Sequence, residues 1–270
     1  MAVDAIRARY AETVMTIAGS EHPRVREAFA TISRERFLPP PPWTVISAGT
    51  ASTTRDPEAL YDNVLVSLDR GEGINNGEPA LHAAWLALVD PQPGERVVHV
   101  GAGAGYYTAI LARLVTPGGR VEAYEVHPRL AQEAARHLAD EPGVTVHAET
   151  AFGRPLPPAD LVYVNAGVFA PDPEWLRALE VGGRLVFPWQ PASHWGPAIL
   201  VTRRGSGYAA RPLMQVGFIT CSGQGTGRQG ELTGLGFEAT RSVWLRAERE
   251  PDATATAVYE ALWFSSDAVP

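Results

Sequence analysis

Apolar residues recur at three- to four-residue spacing over residues 1–18, with Ile6, Tyr10, Val14 and Ile17 on one face. That period predicts an amphipathic helix. A second helix is predicted over 24–32, carrying Val25, Ala28, Phe29 and Ile32, with Pro23 suited to its first turn. Four prolines at 39–42 then force an extended path. From 43 to 78 no period is sustained, and the stretch reads as a winding loop segment with one short strand around 64–68. A loop that long inside a compact domain is usually functional. Its last part, RGEGINNGEP (70–79), is glycines, charges and two adjacent asparagines immediately before an apolar helix.

From residue 79 the pattern alternates. Helices are predicted over 79–89, 105–115, 128–139 and 173–180, the last stopped by a Gly-Gly pair. Strands are predicted over 96–100, 120–126, 144–149, 160–166 and 184–188. Five strands interleaved with helices predict an α/β fold, a doubly wound, mostly parallel Rossmann-like sheet. Segments 198–204 and 214–220 read as hairpin-like strands at the sheet edge. The tail is different: SGQGTGRQGELTGLG reads as a mobile connection, and 241–248 and 256–264 as further strand or helix segments. The pattern divides the chain into 1–78 (helices and a substrate-side segment), 79–222 (the catalytic core) and 223–270 (an extension). The extension is expected to cover a sheet edge, close over a substrate or pair two subunits as a homodimer.

Composition narrows the chemistry. With 270 residues, 45% of them hydrophobic, a sizeable core can be buried. A formal charge of −7 and no basic run argue against nucleic acid as partner. No apolar stretch approaches the roughly 20 residues of a membrane span, and the charged N-terminus does not read as a signal peptide. Cys221 is the only cysteine, so no internal disulfide forms, which suits a cytoplasmic location. All 23 basic residues are arginine. Without lysine there is no Walker P-loop and no pyridoxal Schiff base. The seven histidines are scattered and no metal site is expected.

The segment VVHVGAGAGYYTAILA is a strand, a glycine turn and a helix. Gly101, Gly103 and Gly105 let the backbone turn tightly and approach a bound group. The spacing is G-x-G-x-G, with Tyr106 at the third glycine position of the dinucleotide fingerprint G-x-G-x-x-G. Glu125 ends the next strand, where an acid reaches the two hydroxyls of a ribose. Glu149 ends the third strand, placed to accept from an exocyclic adenine amine. Glycine turn, ribose acid and third-strand acid together describe a site for S-adenosyl-L-methionine (SAM).

Over roughly residues 8–222 the chain resembles the protein-L-isoaspartate O-methyltransferases, within the class I SAM-dependent methyltransferases. VREAFATISRERFLP resembles that family's helix and "V-P-R-E-x-F-V-P", and LYDNVLVSL its "Y-x-D-x-x-L-P-I". RVVHVGAGAGYYTAILARLV, GGRLVFP and MQVGFITCSG match its glycine-turn helix and closing strands. The resemblance implies that Gly101, Ala102 and Gly103 line the methionine part of SAM. It puts Glu125 and Val126 at the ribose, and Glu149 and Thr150 at the adenine edge. Asn165 and Ala166 then flank the reacting methyl.

Two positions depart from the family pattern. Its strand-one acid, which helps hold the cofactor's amino end, is His99 here, either a cofactor contact or a packed core histidine. Its "T-I-S-Q-P" loop is INNGEP here: Gly77 stands where a hydroxyl would contact the substrate carboxylate, preceded by Asn75 and Asn76. His82, just after the loop, is a candidate base or an exposed helical histidine. Asp69 and Glu72 read as a solvated loop face, and Arg70, turned inward, would grip a carboxylate bidentately. The expectation is a SAM-dependent methyltransferase O-methylating a carboxylate of a peptide or protein, the altered loop suggesting a specialised tailoring enzyme. Alternatives are a small-molecule O, N or C acceptor, a non-catalytic SAM-binding module, and an NAD-dependent oxidoreductase. The glycine spacing and the lack of lysine weigh against the last.

Overall fold

Both N-terminal helices form. In chain order the N-terminal elements are α1 (Val3–Ala18), α2 (Pro23–Thr31), β1 (Trp43–Ser47), β2 (Thr50–Thr54), β3 (Leu65–Asp69), β4 (Ile74–Asn75) and α3 (Pro79–Val89). Then come β5 (Arg96–Val100), α4 (Tyr106–Val115), β6 (Arg120–Tyr124), α5 (Pro128–His137), β7 (Val144–His147), β8 (Ala159–Val164), α6 (Pro173–Ala178) and β9 (Leu179–Pro188). The chain finishes with β10 (Trp195–Arg204), β11 (Gly207–Gly217), β12 (Glu231–Leu232), β13 (Ser242–Leu245), β14 (Ala255–Val258) and β15 (Leu262–Ser265). This computed structural model describes residues 3–191, 195–224 and 230–269. The chain forms two compact units, Met1–Glu95 with Ala102–Ala148, and Arg96–Gly101 with Glu149–Pro270.

In the first unit α1 buries Tyr10, Ala11, Val14 and Met15, leaving Ile17 exposed and Ile6 half-buried. The buried stripe is thus rotated from the predicted one, because Tyr10 turns toward Phe29 and Tyr61, with ring centroids 6.1 and 5.5 Å away. At α2, Pro23 occupies the first turn and the His22 side chain accepts from the Val25 N–H. Residues 43–78 are not a winding loop. They hold a four-stranded antiparallel sheet, order β2-β1-β3-β4. Its strands escape periodicity because β2 is TASTT, with Ala51 its single apolar residue, and β4 has two residues. In the same unit β6 and β7 pair in parallel, with Tyr124 opposite His147.

In the second unit, β5, β8 and β9 are parallel neighbours, and β8 is buried on nearly every residue, as a strand covered on both faces must be. Strand β9 starts at Leu179, earlier than its apolar run predicts. It passes through Gly182 (φ +87°), with a register shift opposite Ala159 and Leu161, so the Gly-Gly pair bends a strand rather than stopping a helix. The hairpin β10–β11 forms, but β11 is not an edge, since β13 pairs with it. Beyond it the order is β13-β15-β14-β12, all antiparallel. The tail therefore contributes four strands to the sheet. Of its glycine-rich stretch, 225–229 lie outside the described residues. No described helix is long and apolar enough to cross a membrane.

Candidate cofactor and acceptor site

In the first unit the glycine turn closes on Glu125. Gly103 (φ +56°) donates its N–H to Glu125 Oε2 at 2.7 Å, and His127 donates its N–H to Oε1 at 2.8 Å. Each carboxylate oxygen thus keeps a lone pair free for a hydroxyl. Glu125 is only 8% exposed. Burial pushes its pKa up, against the lowering effect of the His127 and Gly103 N–H groups. Gly105 (φ +100°) also serves packing where α4 begins: a Cβ there would lie 2.9 Å from Leu138 Cδ1. Val126 is partly exposed beside Glu125.

The β3–β4 turn is anchored close by. Arg129 donates to Leu68 O (3.1 Å) and Asp69 Oδ2 (2.9 Å), and His127 Nε2 lies 3.4 Å from Glu72 Oε1. Asp69 is therefore an anchor, while Glu72 stays on the solvated face expected of it. The Asp69 carboxyl is held below its usual range by the Glu72 N–H and by Arg129. Arg70 does not turn inward. It bonds Thr44 and Thr53 of the small sheet.

The acceptor-side loop is fixed by its own amides. Asn76 exchanges bonds with β3: its N–H donates to Val66 O (3.0 Å) and its Oδ1 accepts from Val66 N–H (2.8 Å). Asn75 Oδ1 accepts from Gly77 N–H at 3.0 Å. Asn76 Nδ2 is buried without a hydrogen-bond partner. Gly77 (φ +76°) has His82 directly beneath it: an added Cβ would lie 2.6 Å from His82 Nε2. The His82 ring is fully buried and packs on Tyr107, centroids 3.8 Å apart, while Tyr107 Oη donates to Gly77 O. His82 is thus neither an exposed helical histidine nor a base open to an acceptor. It supports the loop.

Pattern reading singled out no role for Arg34. Fully buried, it donates to the carbonyls of Leu60, Asp62 and Val64 and to Asn76 Oδ1. A buried cation needs such partners, and here they tie the 60–64 turn to the loop. The available signal was an arginine in the quoted RERF motif between two apolar runs.

In the second unit, His99 is fully buried on β5, opposite Tyr163 of β8, ring centroids 5.8 Å apart. Burial lowers its pKa to about 3, so the imidazole is neutral at physiological pH. It is a core histidine and does not replace an acid. A Cβ on Gly101 (φ +78°) would lie 3.4 Å from the Asn165 backbone. Asn165 N–H donates to Val100 O (2.7 Å), while its side-chain Oδ1 is buried and takes no hydrogen bond. Glu149 lies two residues beyond β7 rather than in it, exposed and ion-paired with Arg154. Thr150 Oγ1 donates to Gly223 O (3.4 Å) and accepts from Phe152 N–H (3.1 Å).

Residues 14–226 match the family model of protein-L-isoaspartate (D-aspartate) O-methyltransferase. The chain belongs to that family. The curated relatives of this methyltransferase include the Aeropyrum pernix protein-L-isoaspartate O-methyltransferase, 37% identical over 61% of this chain and 59% of the relative. The Methylorubrum populi protein-L-isoaspartate O-methyltransferase is 33% identical over 80% of this chain and 94% of its own. A solved protein-L-isoaspartate O-methyltransferase shares the fold with a TM-score of 0.69 at 21% identity, covering 97% of this chain and 88% of that one. A Plasmodium falciparum structure in complex with S-adenosyl-L-homocysteine gives 0.65 at 16% identity, covering 79% and 97%. The 97% coverage takes in strands β13–β15, so the sheet extension has a counterpart of the same fold.

The family's cofactor is SAM, and the residues of this protein-L-isoaspartate O-methyltransferase relative fit it. In the first unit Gly103 leaves a backbone face bare of side chain, and Glu125 keeps acceptor capacity out of water. Among the described residues no group of three or more metal-ligating side chains occurs.

Proposed function

We propose that this chain methylates a carboxylate of a peptide or protein, of the isoaspartyl type. The observation that carries this is the chemistry of the 75–77 loop. Its side chains are carboxamides, and the His82 imidazole is sealed beneath Gly77. Such a loop suits an acceptor that is already ionised. A carboxylate, with pKa near about 4, needs no base, whereas a phenol, amine or alcohol often does. SAM supplies a methyl on a good leaving group, and the protein's part is mainly alignment of the acceptor oxygen.

In this reading Glu125 receives the ribose hydroxyls, with Val126 alongside. Gly101, Ala102 and Gly103 give backbone room for the methionine chain. Glu149 and Thr150 serve the adenine edge, Glu149 giving up Arg154 to do so, and Asn165 and Ala166 flank the methyl. Arg34 and His82 position the loop, and Asn75 and Asn76 shape the acceptor side. The lone Cys221 suits a reducing cytoplasm.

Gly77 offers no hydroxyl, which favours an acceptor gripped differently from that of the family pattern, such as a specialised peptide. The test is labelled methyl transfer to isoaspartyl peptides, to their aspartyl counterparts, and to a panel of phenols and amines. Base-labile label on isoaspartyl peptide is expected. Transfer only to phenols or amines would overturn the reading.

A further inference from the structure

We propose that Arg129 is a positioning residue for the cofactor: it holds Leu68 as an apolar wall against the glycine turn, and that wall slows the release of S-adenosylhomocysteine. The inference depends on SAM as cofactor and not on which acceptor is methylated.

Every part of the arrangement lies in the first unit. The register of β3 against β4 runs Ser67 opposite Asn75, then Asp69 opposite Ile74, so Leu68 is an extra residue with no partner in the ladder. Such a bulge bends its strand and re-aims a side chain. The Leu68 side chain is buried, and its Cδ1 lies 3.4 Å from where a Cβ on Gly103 would stand. Gly103 is the residue whose N–H binds Glu125 Oε2 at 2.7 Å. Leu68 therefore borders the cofactor site where the glycine turn meets the ribose acid. An apolar wall there keeps water from Glu125, and a hydrogen bond gains strength where water is excluded.

Arg129 supplies what the bulge lacks. Its Nη2 donates to Leu68 O at 3.1 Å and to Asp69 Oδ2 at 2.9 Å, while Nη1 donates to Glu133 Oε1 at 2.9 Å. Glu133 is one turn further along α5 and braces the arginine from behind. The turn beyond Asp69 contains Gly71 and Gly73 (φ +68°), so it does not by itself fix the bulge. The start of α5 also carries His127, whose N–H binds Glu125 Oε1 at 2.8 Å. One helix start thus aims the ribose acid and holds the wall beside it. Groups that close over a ligand commonly set the rate of product release.

The test is the release rate of S-adenosylhomocysteine from the purified full chain, followed as bound labelled ligand lost into an excess of unlabelled ligand. Arg129→Ala and Leu68→Ala should each release it about tenfold faster, the scale of one hydrogen bond to a charged group or of one lost apolar contact. Association should change little, as for most substitutions at a formed contact surface. Leu68→Met keeps the apolar bulk and should release the ligand as the unchanged chain does. The deciding variant joins both changes. Because Arg129 acts through Leu68, Arg129→Ala with Leu68→Ala should release the ligand no faster than Leu68→Ala alone. A purely structural arginine would instead lower the melting temperature of the ligand-free chain and leave release unchanged. Three results overturn the proposal: unchanged release in Arg129→Ala, accelerations that multiply in the joint variant, or release from Leu68→Met as fast as from Leu68→Ala. Arg129 is partly exposed, so Arg129→Ala is expected to fold and carries the test even where Leu68→Ala does not. Failure to methylate isoaspartyl peptide alters none of these readings, because no acceptor is present.

Discussion

The Glu125 carboxylate shows how a single residue is pulled two ways. Two backbone N–H groups stabilise its charge, and burial opposes it more strongly, so its pKa rises above the ordinary glutamate value. The sign follows: the folded chain favours the protonated acid, and the cost of the charged form is relieved as pH falls through the raised pKa. Ribose hydroxyls need the ionised acceptor, so SAM affinity should hold at neutral pH and decline on acidification, beginning above the range in which an ordinary glutamate titrates. Glu125→Gln should flatten that dependence, and Glu125→Ala should weaken binding about tenfold or more, a loss of about 1.4 kcal/mol. Both are read from S-adenosylhomocysteine titrations across pH, and unchanged affinity would place the ribose elsewhere. Glu125 was legible because its offset from the glycine turn is local. His99 was legible only as an alternative, since burial decides between a core imidazole and a ligand. Glu149 was found by its position, but its pairing with Arg154 was not.

At the scale of elements, the β3–β4 ribbon and the loop leading to α3 act as one piece. Asn76 completes the ladder beside Val66 and receives Arg34, so Asn76→Ala removes a buried acceptor from two donors. It should destabilise the chain by about 1–3 kcal/mol and lower turnover far more than SAM affinity. Thermal melting with ligand titration separates those effects. Gly77→Ala faces both the left-handed backbone and the His82 ring 2.6 Å from the new Cβ. Turnover should fall sharply with SAM affinity kept, and adding His82→Ala should restore only part, because the steric conflict goes while the backbone cost stays. Full recovery would show that φ is not limiting there. The small sheet holding this ribbon was only partly legible: a strand around 64–68 was expected, and β1, β2 and β4 were not. A mostly polar strand such as β2 and a two-residue strand such as β4 have little alternation to detect, and the sheet is set by Val45 opposite Val66 and Ser67 opposite Asn75.

For the whole molecule, the extension after residue 222 is part of the second unit's sheet. Phe264 stacks on the fully buried Trp189 at 4.5 Å, and Tyr259 Oη accepts from the Trp189 indole N–H at 2.8 Å. Arg249 lies over the rings of Trp244 and Trp263, at 4.9 and 5.1 Å. Truncation at 222 should therefore yield an aggregating chain rather than a shorter enzyme, because it bares β11 as an edge and uncovers Trp189. Size-exclusion chromatography and melting would show this, and a monomeric, cooperatively folding truncation would contradict it. By itself the sequence determined the βα alternation, the glycine turn, Glu125 and the cofactor class. Each is written within a few residues, as a face periodicity, a turn needing φ above zero, or a fixed offset. Only the tertiary structure decided that Arg34 serves Asn76, 42 residues away, that His82 lies sealed beneath Gly77, and that the tail completes a sheet. Those outcomes depend on side chains that meet only after distant segments pack, and no local window contains that information.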